Sequence, residues 1–410
     1  MTDHHHGPNL GSLTRRGLIQ AGAAVGLAAS PMMFAPAAFG QTRPETGKRI
    51  LVILELSGGN DGLNTVIPYG DDAYYRHRPK IGIRPDKVRK LDAHFGLSPG
   101  MAGMERLFKD GKLAIVHGTG YADPSFSHFT SMAYWHTAAP NSGEQYGWVG
   151  RLADAMAPTA PANFLINIGA TQSLAVRAHN HVPVVFDNPD NFTREMFFEE
   201  GAVLKSAPEA RKTANPSQAY LQDMARAAND SSALVRKAWA DYRSPVDYGI
   251  NDLGLKRVAA MIGAGMPARL YYTAYNNNAF DTHVTQNDQH PRLLTYTSDA
   301  VAAFLQDIER LGRADDVTLM VFSEFGRRVP ENTSLGTDHG AANVMFVAGK
   351  KVKGGHYGEL PSLTKLDAGD NLVFTTDFRR VYGTMEQSWL GQPAAPNLLN
   401  GTFKPFDMIA

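Results

Sequence analysis

The stretch DVTLMVFSEFGRRVPENTSLGTDHG, from Asp316 to Gly340, changes character sharply at Ser323. Val317 to Phe322 is an unbroken apolar run, the composition of a strand covered on both faces. Ser323, Glu324, Gly326, Arg327 and Arg328 follow at once, and a Pro/Asn/Ser/Gly loop then delivers Asp338 and His339 beside Gly340. Ligands of open α/β sheets bind outside the carboxyl ends of the strands, so these carboxylates and this imidazole are expected at a site.

Three other stretches repeat the pattern. Arg49 to Leu56 is a continuous apolar run that leads into Ser57-Gly58-Gly59-Asn60-Asp61-Gly62, and the glycines allow a tight turn that displays Asp61. Asn-Asp-Gly is ordinarily no more than a turn, and its position behind a buried strand is what gives it weight. Leu113 to His117 leads through Gly118 and Gly120 to Ser125, Ser127 and His128. A serine there is ordinarily a helix cap, and becomes a nucleophile only beside a base or a metal. Arg269 to Tyr275 leads to Asp281-Thr282-His283, where residues two apart in extended chain face the same way.

Phe164 to Ile168, Val182 to Phe186 and Val344 to Ala348 read as further strands. Gly100 to Asp110, Pro291 to Leu311 and Asp377 to Leu390 read as helices, with His290 at the start of the second. Tyr74, Tyr75, His77 and Arg78 fall in an expected loop, and His356 in a turn where it either reaches the site or packs. Strands separated by helical patterns predict an α/β fold with a mostly parallel central sheet and helices on both faces. A single domain is expected over 41–410, with a mainly helical insertion around 191–261.

Composition narrows the chemistry. Lys plus Arg and Asp plus Glu both total 40 in 410 residues, which gives no reason to expect nucleic acid or an anionic membrane as partner. The absence of cysteine removes disulfides, thiol catalysis and zinc–thiolate sites, leaving His, Asp and Glu as the strong metal ligands. Residues 1–40 read as an export leader: Arg15-Arg16 precede a short Ala/Gly/Leu-rich run, and Ala38-Phe39-Gly40 offers a small-residue cleavage site. The run is shorter than the ~20 apolar residues of a membrane span. Paired arginines before such a run resemble a twin-arginine signal, so the twin-arginine export machinery is an expected partner and the periplasm or exterior the expected location.

Asp61, Asp281, His283, Glu324, Asp338 and His339 are thus expected at one edge of the sheet. Carboxylates gathered in one place repel unless protonated or bound to a cation, and the mixed oxygen/nitrogen set suits one or two ions of zinc, manganese or iron. Ser127, His128 and Arg327 complete the catalytic candidates, Arg327 being equally readable as a structural partner of a carboxylate.

The paired-arginine leader, LELSGGNDGLNTVIPY (Leu54 to Tyr69), Ser127-His128-Phe129, Phe280 to His283, Ser323 to Arg327 and Thr337 to Gly340 together resemble the bacterial domain-of-unknown-function family 1501, within the alkaline phosphatase-like superfamily. The resemblance implies a carboxylate after the first strand, a hydroxyl nucleophile after the second and later Asp/His groups around two metals. Asp61, Ser127, Asp281 with His283, and Asp338 with His339 match these positions. The chain departs from the pattern at Ser323-Glu324-Phe325-Gly326, where many members carry Ser-Asp-His-Gly. Hydrolysis of phosphate or sulfate esters is the implied reaction. Lack of cysteine excludes the cysteine-derived formylglycine of most sulfatases, which favours phosphate. The alternatives are a non-catalytic exported binding or assembly protein on the same fold, and a transferase acting on envelope glycans or lipid headgroups.

Overall fold

The computed structural model describes residues 49–192 and 231–410. The leader and the 193–230 part of the expected helical insertion lie outside the described residues. In chain order the strands of the central sheet are β1 (Ile50–Leu56), β2 (Leu113–Gly120), β3 (Leu165–Ile168), β4 (Val184–Phe186), β5 (Leu270–Tyr275), β6 (Val317–Phe322), β7 (Asn343–Ala348), β8 (Gly355–Tyr357) and β9 (Thr376–Asp377). They lie side by side as β8-β2-β7-β6-β1-β5-β3-β4, with β9 paired to β2.

Pairing is parallel everywhere except at β7, which runs antiparallel to both β2 and β6. Two reversals cancel, so β2 points the same way as β6. The carboxyl ends of β1, β2, β5 and β6 therefore share one edge, as the sequence predicts.

The helices that frame the sheet and the site are α1 (Gly62–Thr65), α2 (Asp72–His77), α3 (Ala102–Lys109), α4 (His128–Thr137), α5 (Trp148–Met156), α6 (Leu255–Gly263), α7 (Gln286–Arg310) and α8 (Arg379–Gly383). Alternation along β1 builds both layers: Val52 and Leu54 pack with α3, α6 and α7, while Leu51 and Ile53 pack with α4, α5 and α8. Each large apolar side chain fully buried in these layers contributes roughly 1.5–3 kcal/mol. On the second face Glu55 Oε2 lies 2.7 Å from Nε2 of His136, and the Tyr272 hydroxyl donates to the same carboxylate. That buried contact fastens the far end of α4 to the sheet. No described helix is long and apolar enough to cross a membrane.

Several local expectations are corrected. Tyr74 to His77 are helical in α2, because Asp71 caps it by accepting from the Ala73 amide at 2.8 Å and Tyr74 is buried. Helix α7 begins at Gln286, so Pro291 sits in its second turn and His290 inside it. Nε2 of His290 lies 2.9 Å from the Asn60 side-chain oxygen, and burial lowers its pKa to about 4. His356 stands on strand β8, 2.7 Å from His117, and packs there. The last expected helix divides into α8 and a π-helical turn, Thr384–Trp389.

Candidate metal centre

Two glycines let the chain after β1 pass beneath the site. Gly58 has φ 118° and Gly59 φ 69°, and a Cβ on Gly58 would stand 2.6 Å from the Asp281 backbone nitrogen. This close approach lets the Gly58 amide donate to Oε1 of Glu324 at 2.9 Å. The loop after β5 brings Asp281 and His283, the loop after β6 brings Glu324, the return to β7 brings Asp338 and His339, and α4 opens with His128.

Asp281 is the centre of the group. Arg327 Nη2 donates to its Oδ1 at 2.7 Å, and Nε2 of His283 and of His339 approach the same oxygen at 3.0 and 3.1 Å. Nε2 of His128 lies 3.3 Å from Oδ2 and, though buried, makes no hydrogen bond of good geometry. The two facing Nε2 atoms of His283 and His339 are 2.9 Å apart.

The outer nitrogens of the rings fix which tautomer each carries. His339 Nδ1 lies 2.7 Å from the Phe126 carbonyl, which only accepts, so that nitrogen holds the proton. His128 Nδ1 lies 2.8 Å from Glu324 Oε1, and His283 Nδ1 3.4 Å from Asp338 Oδ1, again acceptors. Three Nε2 lone pairs therefore point inward around one carboxylate. Acceptors facing acceptors repel unless a cation joins them, and imidazoles backed by carboxylate or carbonyl groups are the usual supports of a metal. The donor set thus fits a divalent ion. The ligand atoms of His128, Asp281 and His339 all lie within 4.8 Å of one another, and Nε2 of His283 stands within 3.0 Å of both His339 Nε2 and Asp281 Oδ1.

The electrostatics point the same way. Burial alone would raise Asp281, but His128, His339 and the Arg327 guanidinium beside it hold its carboxyl far below the usual range. The carboxylates of Asp281 and then Glu324 beside it push His128 up to about 9. Without another cation, the cluster draws a proton onto this ring.

The structure divides the six expected metal ligands. Asp281, His283 and His339 converge. Glu324 stands behind His128, and Asp338 behind His283, where Asn332 Nδ2 also donates to it at 3.1 Å. Asp61 is placed apart: it is fully buried at the N-cap of α1, with Arg78 Nη1 donating at 2.6 Å and Gln286 Nε2 at 2.5 Å. Its carboxyl is held by these partners, a buried charge being stable only when it is paired.

Of the catalytic candidates, His128 joins the group. Ser127 is exposed at the N-cap of α4 and its side chain makes no capping bond. Arg327 follows the structural reading, its guanidinium being buried against the carbonyls of Gly58, Gly59, Phe280 and Thr337 as well as Asp281.

Sequence reasoning missed Gln286 and Arg78. Gln286 Oε1 accepts from Thr282 at 3.1 Å and Thr337 at 2.7 Å, the residues directly before His283 and Asp338. One amide thereby joins both ligand-bearing loops and ties them to Asp61. The usable signal was a buried Asp with no designated cation; Arg78, a turn and a helix later, supplies it.

A family model described as protein of unknown function (DUF1501) matches residues 48–380. No curated protein matches the chain. Among solved structures the chain is similar to a protein in the alkaline phosphatase superfamily from Vibrio parahaemolyticus, with 10% identity, 78% of this chain and 65% of that one covered, and a TM-score of 0.36. It thus spans less than two thirds of that relative. It is also similar to the sulfatase PsFucS1 from Pseudoalteromonas sp. (12% identity, 89% and 73% covered, TM-score 0.40) and to a phosphonate monoester hydrolase from Silicibacter pomeroyi (14% identity, 88% and 78% covered, TM-score 0.37). Likeness at this level assigns neither reaction nor substrate.

Proposed function

This chain belongs to the DUF1501 family, and on that premise we propose that it is an exported, metal-dependent hydrolase of phosphate esters, sulfate esters being the sister class, with Ser127 as nucleophile. The observation that carries the reading is the convergence of three imidazole Nε2 atoms on Asp281, one of them from His128, the residue that follows Ser127.

Ser127 is bracketed by the cluster. The carbonyl of the residue before it accepts from His339, and the imidazole of the residue after it sits between Asp281 and Glu324. Its hydroxyl stands at the amino end of a ten-residue helix, where the dipole favours negative charge.

His128, Asp281, His283 and His339 would hold the divalent ion, which when bound lowers the pKa of a neighbouring hydroxyl and offsets charge on the equatorial oxygens. Glu324 and Asp338 keep His128 and His283 in the tautomer that turns Nε2 inward. Arg327 fixes Asp281. Ser127 gives up its proton to solvent water and its oxygen attacks phosphorus, forming the P–O bond as the ester P–O bond breaks and the alcohol leaves with a proton from solvent. Water then attacks phosphorus, the serine oxygen leaves and takes back a proton, and phosphate is released. Export is supported by Arg15-Arg16 and the short apolar run behind them.

The test is turnover of aryl phosphate mono- and diesters by the metal-loaded protein. Ser127→Ala is expected to lower kcat about 10³-fold or more while metal content is kept. Full activity in that variant removes Ser127 as nucleophile; a metal-loaded wild type inert to every ester defeats the hydrolase reading.

A further inference from the structure

Tyr121 opens the loop that carries the chain from β2 to α4, and Ser127 closes it. The Tyr121 side chain is buried, its ring edge-on to Tyr134 and Phe378 with centroids 5.8 and 6.0 Å away. Packing therefore fixes the ring, and its hydroxyl becomes a fixed point for the loop.

Four hydrogen bonds run in series from Ser127 to the end of β6. The Ser127 amide donates to Oγ of Ser125 at 3.3 Å, and the Ser125 amide to the Tyr121 hydroxyl oxygen at 3.0 Å. The Tyr121 and Ser131 hydroxyls are 2.9 Å apart, and Ser131 Oγ donates to the Glu324 carbonyl at 2.6 Å. The last bond settles the direction of the third: a carbonyl only accepts, so it takes the one proton of Ser131, and Tyr121 supplies the proton between the two hydroxyls. Burial raises the pKa of the Tyr121 hydroxyl, so that proton is kept.

Glu324 is thereby attached to this segment twice. Its carbonyl ends the series, and its Oε1 lies 2.8 Å from Nδ1 of His128. Phe126 is held separately, its carbonyl 2.7 Å from Nδ1 of His339. Between these attachments both backbone groups of Ser127 are engaged, its carbonyl accepting from the Ser131 amide at 2.9 Å. A serine at an N-cap ordinarily spends its hydroxyl on the helix amides, and Ser127 does not.

We propose that Tyr121 is a positioning residue for the hydrolysis: its hydroxyl, through Ser125 on one side and Ser131 on the other, fixes the backbone of Ser127 relative to Glu324 and leaves the Ser127 hydroxyl to the reacting ester. The inference rests on the hydrolase reading above. Ser131 is no substitute nucleophile, since it is fully buried and its proton is committed to a carbonyl.

The experiment is steady-state kinetics of metal-loaded Tyr121→Phe on aryl phosphate esters, with metal affinity measured by dye competition. The variant keeps the ring and loses only the hydroxyl. Its kcat is expected to fall about 10- to 100-fold with KM and metal affinity as in wild type, because His128 and His339 keep their own bonds to Glu324 and Phe126. Ser131→Ala, which removes the middle link, is expected to match it, and Tyr121→Phe/Ser131→Ala to be no slower than either. In a Ser127→Ala background Tyr121→Phe should leave the residual turnover unchanged, whereas a general structural effect would slow it further. Wild-type kcat in Tyr121→Phe, a fall in kcat matched by lost metal affinity, or a further fall in the Ser127→Ala background overturns the proposal and leaves the hydrolase reading standing. Wild type inert to every ester defeats that reading, and amide hydrogen exchange then decides the series: faster exchange at Ser125 and Ser127 in Tyr121→Phe supports the fixing of Ser127, and exchange equal to wild type overturns it.

Discussion

Nε2 of His283 and Nε2 of His339 face each other across 2.9 Å with Asp281 Oδ1 beside both, at 3.0 and 3.1 Å. Two neutral rings whose outer nitrogens donate to Asp338 and to the Phe126 carbonyl have no proton left for that gap.

A divalent ion is therefore expected in the purified protein. Elemental analysis of wild type should find about one equivalent or more of zinc, manganese or iron, and His283→Ala/His339→Ala should carry none. Chelation should lower the Tm of wild type and leave the Tm of the double variant unchanged, since a ligand at 100 times its Kd stabilises by about 2.7 kcal/mol. Well-folded wild type without metal after loading would defeat the metal assignment.

Gln286 acts on the centre through two threonines. Gln286→Leu keeps the volume but leaves the hydroxyls of Thr282 and Thr337 without their shared acceptor, so metal affinity is expected to fall about 10- to 100-fold. Competition titration with a chelating dye measures this directly, and affinity equal to wild type would show that the ligand loops hold their places without the amide.

Arg78 neutralises Asp61 where neither reaches water. Burial alone would raise the Asp61 carboxyl, and the neighbouring guanidinium outweighs it and holds the group below its ordinary range. Arg78→Leu strands that charge and is expected to cost about 3–5 kcal/mol of stability, read in urea denaturation. Arg78→Leu/Asp61→Leu should recover part of the loss. Unchanged stability in the single variant would mean that Asp61 is balanced by something other than Arg78.

Glu386 supplies a pH dependence away from the centre. Burial pushes its carboxyl up to about 7 in the folded protein, from an ordinary value of 4.5. A raised folded pKa means that its contribution is fully present below about pH 4.5, is lost as the pH rises through about 7, and is level above that. Glu386→Gln should remove about 3 kcal/mol of stability loss over this window. Denaturation midpoints of wild type and variant that fall in parallel from pH 5 to 8 would assign the dependence to another group.

Much of this architecture was legible in the sequence because its strands are buried on both faces. β1, β2, β5 and β6 are apolar runs that stop at glycine or polar residues, and so the shared edge with its Asp and His groups was readable before any coordinates. Strand direction was not readable: β7 is as apolar as its neighbours, and an apolar run carries no sign of which way it points. What Asp61 pairs with was not readable for a related reason. Its partner Arg78 is near in sequence, but only the packing of α2 onto the turn after β1 makes the two meet. Arg327 resolved toward the structural reading once five acceptors surrounded its guanidinium. The start of α7 was misread because Pro291 looks like a first-turn proline, whereas the bond it forfeits lies one turn further in.

The return from β6 to β7 is cinched at its base by a short antiparallel ladder, Gly326 opposite Gly340 and Arg327 opposite His339. Both glycines are sterically required, a Cβ on Gly326 falling 1.9 Å from the Ala342 carbonyl oxygen and one on Gly340 2.3 Å from the Arg327 carbonyl carbon. A neck closed in this way insulates the sheet from whatever the excursion beyond it does. Residues near Pro330 to Leu335 are thus the place where this scaffold can take insertions, exchange one loop for another and acquire a different selectivity without shifting the strands on either side.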